Sequence, residues 1–188
     1  PRIDANKHHE EQGSSADNLR RMLAGSNICE NHVNDKVQDA YVMRCMPHIH
    51  GAAKKLVKEA YEVIVDEMHS VSDNPEIFAE GADDGVALMS GNFDGSFVGA
   101  HADMISMACA IIGKVVERGT DRMVNRNLND GLPAFLVSNP GLNSGFMIPQ
   151  YTAAGLMNEI KHLAIPATID SIPTCAGQED PVSMAYYA

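Results

Sequence analysis

Gln38, Tyr41 and Arg44 recur at a strict three-residue spacing in KVQDAYVMRCMP (residues 36–47), threaded between Val37, Ala40, Val42, Met43 and Met46. Three hydrogen-bonding side chains in an otherwise apolar segment need partners. On a helix each step of three turns by about 300°, so the spacing predicts a face on which all three lie within an arc of about 120°. Such a face suits an anionic ligand. The guanidinium of Arg44 can fork onto a carboxylate, Tyr41 can donate a hydrogen bond or exchange a proton, and Gln38 can orient a neighbour. The competing reading is an interhelical polar contact, with Arg44 paired to one of the chain's many acids. Further along, Gln178–Glu179–Asp180 places a carboxylate in a loop ahead of an apolar segment, as a reactive group or as the cap of a helix N-terminus. Phe93, in the loop SGNFDG, reads as a site aromatic or as a core anchor.

Other chemistries have no motif to carry them. Ser72–Asp73–Asn74 lacks an accompanying S-x-x-K or K-T-G, and GLNSG (141–145) is not a G-x-S-x-G elbow. His48 and His50 lie on different sides of a helix with no carboxylate at ligand spacing, so no metal is expected. No nucleotide fingerprint is present. A formal net charge of -11 and the lack of a basic stripe argue against nucleic acid and anionic membranes as partners. The most apolar window, Met104 to Val116, is interrupted by Ser106 and Gly113 and reads as too short for a bilayer. The opening residues PRIDANKHHEEQ are polar and no signal peptide is read in them. Cys29, Cys45, Cys109 and Cys175 show no C-x-x-C pairing, and free thiols in a reducing cytoplasm are the expectation.

The elements that must position these groups follow from composition and period. Aromatics are only 5%, Trp is absent, and there are 11 Met and 15 Gly, a composition suited to closely packed helices. After a polar loop over residues 1–13, Ser14, Ser15 or Asp17 caps a short helix through Leu19, Met22 and Leu23 that Gly25 stops. A long amphipathic helix follows Pro47, with Ile49, Ala53, Leu56, Ala60, Ile64 and Met68 on one side. SVSDNP (70–75) is a turn, and GADDGVALMSGNFDGS (81–96) is a loop with room for a short hairpin. A second long helix covers 96–124; its small residues surround the whole circumference, which predicts burial on several sides in a bundle or an oligomer core. A third covers 147–163, with Pro149 tolerated in its first turn. Two irregular connectors, GLPAFLVSNPGLNSGF and ATIDSIPTCAGQEDP, have the length of functional loops, and a final helix begins at the end of the chain. The expected fold is all-α: an elongated bundle of long helices with the polar residues on irregular loops. Residues 1–188 read as one such unit. Starting at Pro1 and stopping within SMAYYA, the chain reads as a piece of a longer polypeptide.

The segments VQDAYVMRC (37–45), VSDNP (71–75), SGNFDG (90–95), GLPAFLVSNPGLNSGFMI (131–148) and IDSIPTCAGQEDPVSM (169–184) together resemble the histidine ammonia-lyase branch of the aromatic amino-acid lyase family, in family order and over most of the chain. The resemblance implies a helical core of the ammonia-lyase and fumarase type, assembled as a homotetramer whose active sites draw on several subunits. It implies elimination of ammonia from an aromatic amino acid, L-histidine to trans-urocanate in this branch, with a methylidene-imidazolone (MIO) electrophile formed from an internal Ala-Ser-Gly. Carried over residue by residue, it places Arg44 at the substrate carboxylate. Tyr41 falls on an active-site tyrosine, Gln38 beside it, and Phe93 on the aromatic packed at the electrophile. Asn74 and Gln178 fall on the pocket lining. Glu179 falls where histidine lyases carry an acid and phenylalanine and tyrosine lyases an amide. The chain departs from the family in two respects. Ala-Ser-Gly is absent, along with the N-terminal half that bears it and the C-terminal end, so this polypeptide alone is expected to be inactive. Pro181 stands where histidine lyases have a His. An amino-acid 2,3-aminomutase of the same family is the alternative activity, and a non-catalytic helical assembly module the alternative class.

Overall fold

The computed structural model describes residues 2–79 and 85–188. The described chain is predominantly helical, with one two-stranded antiparallel hairpin. In order the helices are α1 (Arg2–Ala5), α2 (Glu10–Leu23), α3 (Asn27–Asn31), α4 (Tyr41–Arg44), α5 (Met46–Met68), α6 (Ser96–Val124) and α7 (Met147–Leu163), with strands β1 (Glu76–Phe78) and β2 (Val86–Leu88) between α5 and α6. Two compact units result. One holds residues 1–55 and 107–164, the other 56–106 and 165–188.

The long elements start and stop where their residues require. α6 and α7 have the predicted limits, and Pro149 sits in the first turn of α7, where its missing N–H costs nothing. α2 differs from expectation. It begins at Glu10 rather than at Ser14–Asp17, because Glu10 and Glu11 supply the negative charge that a helix N-terminus favours. Ser15 is then interior and turns its hydroxyl back to the Glu11 carbonyl at 2.9 Å. Gly25 does stop this region, at φ +71° just beyond the helix end. Ser26 caps the short α3, accepting from the Cys29 amide at 3.3 Å. The expected loop-and-hairpin region begins earlier than 81, since β1 starts at Glu76; residues 80–84 lie outside the described residues. At the chain end a 3-10 turn at Ala185–Tyr187 replaces the expected helix start.

In the first unit the buried apolar groups are small or flexible: Ala16, Ala53, Ala108, Val115, Val124 and Met157. Small residues let backbones approach. A Cβ on Gly51 would lie 2.7 Å from the Gln12 backbone, and one on Gly113 would lie 3.1 Å from Met157 Sδ. These are the α2–α5 and α6–α7 crossings. In the second unit Ala60 of α5 is fully buried, and Gly99 of α6 is buried against Thr168 and Ala185.

The apolar circumference of α6 is not covered within one copy of this chain. Phe97 is 68% exposed and Val116 59%. α6 has one 18-residue window with a mean hydropathy of 1.4, long and apolar enough to cross a bilayer by length and composition only, a test that the core helix of a globular protein also passes. Its middle nevertheless carries a buried carboxylate, Asp103, that accepts three hydrogen bonds from the segment after α7.

Candidate active site

In the first unit, the polar triplet is split by the backbone. Helix α4 is only four residues long and starts at Tyr41, so Gln38 sits before it in an exposed bend. The predicted single arc therefore holds for Tyr41 and Arg44 and not for Gln38. The cause lies at both ends of the segment. Val37 and Asp39 are weak helix formers with nothing to bury here. Pro47 has no N–H to return to Met43, and the chain breaks at Cys45 before α5 begins. The Cys45 carbonyl still accepts from the Ile49 amide at 3.1 Å, so α4 is tethered to a 23-residue helix that a free four-residue turn would lack.

Tyr41 and Arg44, three apart, face the same side. The Arg44 guanidinium carbon lies 5.3 Å from the Tyr41 ring centroid, and Tyr41 is 69% exposed. This stacking orients the fork without using its N–H groups. Among the described residues Arg44 takes part in none of the ion pairs. The region before it is anchored by Lys36, whose ammonium meets Asp130 and pulls that carboxyl below its usual range.

In the second unit, the hairpin brings the VSDNP turn beside the SGNFDG loop. Asn74 is half-buried; its Nδ2 donates to the Ser90 carbonyl at 3.3 Å, and its backbone N–H donates to Asp73 Oδ1 at 2.7 Å. The Asn74–Pro75 peptide is cis. Asn92 Nδ2 adds a 2.7 Å bond to Glu76 Oε1. Phe93 follows, 59% exposed and so no core anchor in this chain. Asp94 then accepts from the Ser96 amide at 2.9 Å and starts α6; hydrogen bonds from the Ser96 side chain and backbone hold its carboxyl below the ordinary value. Asn74 and Phe93 thus stand on loops joined by direct hydrogen bonds.

Gln178 and Glu179 close a tight turn. Thr174 and Glu179 pair through their backbones, with the Thr174 amide 2.9 Å from the Glu179 carbonyl, and the Thr174 hydroxyl donates to Glu179 Oε2 at 2.8 Å. Between them Cys175, Ala176 and Gly177 all take left-handed backbone, at φ +49°, +57° and +84°. Two consecutive non-glycine residues there store strain, a feature associated with functional turns. Glu179 heads no helix, so the capping alternative does not describe it. Among the described residues its Oε1 accepts no hydrogen bond and stays open to a ligand.

The other family segment, 131–148, is strained in the same way. Phe135 and Leu136 sit at φ +54° and +53°, and the Phe146 amide donates to the Phe135 carbonyl at 2.9 Å. Its Ser144–Gly145 pair is, with Ser90–Gly91, the chain's nearest approach to an Ala-Ser-Gly precursor, but Asn143 precedes it and donates through Nδ2 to the Ser138 carbonyl at 2.8 Å. A Cβ on Gly145 would lie 2.4 Å from the Phe135 carbonyl oxygen. That turn is packed shut and does not fit the electrophile; the chain has no residues from which the group could form.

Asp103 escaped the sequence reading. Its signal was a lone acid between Ser96 and Lys114, an otherwise uncharged run apart from His101.

The geometry can be set beside known proteins. The sequence model of the family described as aromatic amino acid lyase matches residues 1–188. A histidine ammonia-lyase of Natranaerobius thermophilus is 47% identical over 176 residues, 94% of this chain and 34% of that protein. The chain therefore spans about a third of the length of the curated relatives it matches. Among solved structures, the histidine ammonia-lyase from Trypanosoma cruzi superposes with a TM-score of 0.86 at 38% identity, covering 100% of this chain and 34% of that one. The tyrosine aminomutase from Streptomyces globisporus gives 0.82 at 31%, covering 97% and 38%.

Proposed function

Because the chain belongs to the aromatic amino acid lyase family, we propose that the intact protein to which it contributes is an ammonia-lyase that converts L-histidine to trans-urocanate and ammonia. The observation that carries the substrate choice is Glu179, a carboxylate fixed through one oxygen by Thr174 with the other free to meet an imidazole N–H. An imidazole presents two ring nitrogens that need partners, whereas a phenyl ring offers the exposed Glu179 carboxylate no hydrogen to accept. The higher identity to histidine lyases than to the tyrosine aminomutase points the same way.

The residues divide the work. Arg44 binds the α-carboxylate as a bidentate, charge-assisted pair, its plane set by the Tyr41 ring. Tyr41, one helical turn away, is placed to exchange a proton near the amine. Glu179 binds the imidazole, Gln178 and Asn74 line the pocket beside it, Gln38 orients Tyr41, and Phe93 is the exposed aromatic that would face an electrophile supplied from elsewhere. Arg44 and Glu179 belong to different compact units. The chain carries no Ala-Ser-Gly, so an MIO electrophile would have to be supplied by residues outside these 188, and the chain alone is expected to be inactive. Exposed large side chains such as Phe97, Leu163 and Tyr186 (68%, 71% and 91%) support a homotetramer that covers them. The four free thiols suit a reducing cytoplasm.

The test is product analysis with the intact protein and L-histidine. Urocanate with stoichiometric ammonia supports the reading. A β-amino acid with no net ammonia release would instead establish the 2,3-aminomutase whose fold the chain shares, and no reaction on any amino acid would leave a helical assembly module.

A further inference from the structure

Helix α6 buries one carboxylate. Asp103 is 5% exposed and accepts three hydrogen bonds from the residues just after α7: the Ala167 amide at 3.1 Å, the Thr168 amide at 3.0 Å and the Thr168 hydroxyl at 2.6 Å. Burial alone would raise the affinity of this carboxyl for a proton; the bonds from Thr168 and Ala167 outweigh it and hold the pKa below the ordinary value. One turn earlier Gly99 leaves no room, since a Cβ there would lie 2.4 Å from Thr168 Cγ2 and 2.8 Å from Ala185 Cα. A Cβ on Gly95 would lie 2.7 Å from Ala185 Cβ. The segment carrying Gln178 and Glu179 is therefore fixed to α6 at 167–168 and again at 185.

We propose that Asp103 is a positioning residue for Glu179, clamping the base of the 167–180 segment so that the carboxylate of Glu179 is presented in one place. An apolar residue at position 103 could pack as well, and replacing buried charge by good packing is often neutral or better for stability. What three converging donors add is direction. They fix the backbone of 167–168 in register and orientation, and the strained Thr174–Glu179 turn that follows inherits that frame. The role rests on the reading of Glu179 as the imidazole partner.

The experiment uses the intact protein carrying Asp103→Asn or Thr168→Val, alone and combined with Glu179→Gln, well below the melting temperature of each variant. Amide hydrogen exchange reads the clamp directly. In Asp103→Asn the amides of 174–179 should exchange about tenfold faster or more, with α7 unchanged. Histidine turnover should fall about tenfold in Asp103→Asn and less in Thr168→Val, which loses one bond of the three. In the Glu179→Gln background, Asp103→Asn should add less than about a twofold loss, because the two act through one group. Unchanged exchange at 174–179, or losses that multiply in the double variant, would overturn the clamp. Glu179→Gln turning over histidine at the normal rate would overturn the reading of Glu179 instead, while the exchange result would still decide whether Asp103 holds the segment.

Discussion

The segment bearing Arg44 and the segment bearing Glu179 are built on opposite principles. Residues 37–45 hold their polar groups loosely: Val37 is fully exposed, Tyr41 is 69% exposed, and among the described residues Arg44 meets the Tyr41 ring and no acid. Residues 165–188 are pinned to α6 by Asp103 and the close approach at Gly99, and they close the strained Thr174–Glu179 turn on themselves. On the proposed reading, the difference matches what each group would recognise. A guanidinium that forks onto a carboxylate gains most of its geometry from the ligand. A carboxylate that must tell imidazole from phenyl needs to be in place beforehand, because discrimination depends on the cost of leaving it unpaired.

The first way to break this comparison is at the loose end. Arg44→Ala in the intact protein should lower kcat/KM on histidine by about a hundredfold, the effect of losing a charge-assisted pair of about 2–3 kcal/mol. The melting temperature should hardly move, because no described acid pairs with Arg44. Arg44→Lys should recover part of the loss, since a point charge cannot fork. A large stability loss in Arg44→Ala would make this segment structural after all.

The pinned end should respond in stability. A helix-interior Gly→Ala change ordinarily stabilises by about 0.5–1 kcal/mol. At Gly99 the added methyl meets the Ala185 Cα at 2.8 Å, a backbone atom that cannot rotate aside. Gly99→Ala should therefore destabilise, by about 1–3 kcal/mol, as read by denaturant midpoint. A gain in stability would show that the segment can move away from α6.

The smallest effect is in acid. The Asp103 carboxyl has a folded pKa below its unfolded value of about 3.9, so it contributes stability above that pH and loses the contribution as pH falls through the folded value. Asp103→Asn should show a shallower decline in melting temperature below about pH 4 than the unsubstituted protein. Parallel declines would mean that Asp103 keeps its charge no better folded than unfolded.

Much of this was legible in the residues. The periods of α6 and α7 are long and end in clear breakers, so their limits followed from sequence alone. The three-residue spacing of Gln38, Tyr41 and Arg44 was real, but spacing does not show where a helix begins. With Pro47 breaking the run from one side and Val37 unburied on the other, only one turn forms. Asp103 was visible as an isolated charge, yet its partners lie 64 and 65 residues away, and no local pattern announces them. The left-handed Phe135, Leu136, Cys175 and Ala176 were not legible either, because none of these residue types signals positive φ. The first pair sits where the Phe146 amide bonds the Phe135 carbonyl, and the second inside the turn closed by Thr174 and Glu179.

The most direct measurement is the substrate preference of Glu179→Gln in the intact protein, with turnover on histidine, phenylalanine and tyrosine recorded beside a melting curve. Activity on histidine should fall on the order of a hundredfold, with a much smaller change on phenylalanine and tyrosine and little change in melting. Equal losses on all three substrates would make Glu179 a general catalytic group and contradict its assignment as the partner of the imidazole ring.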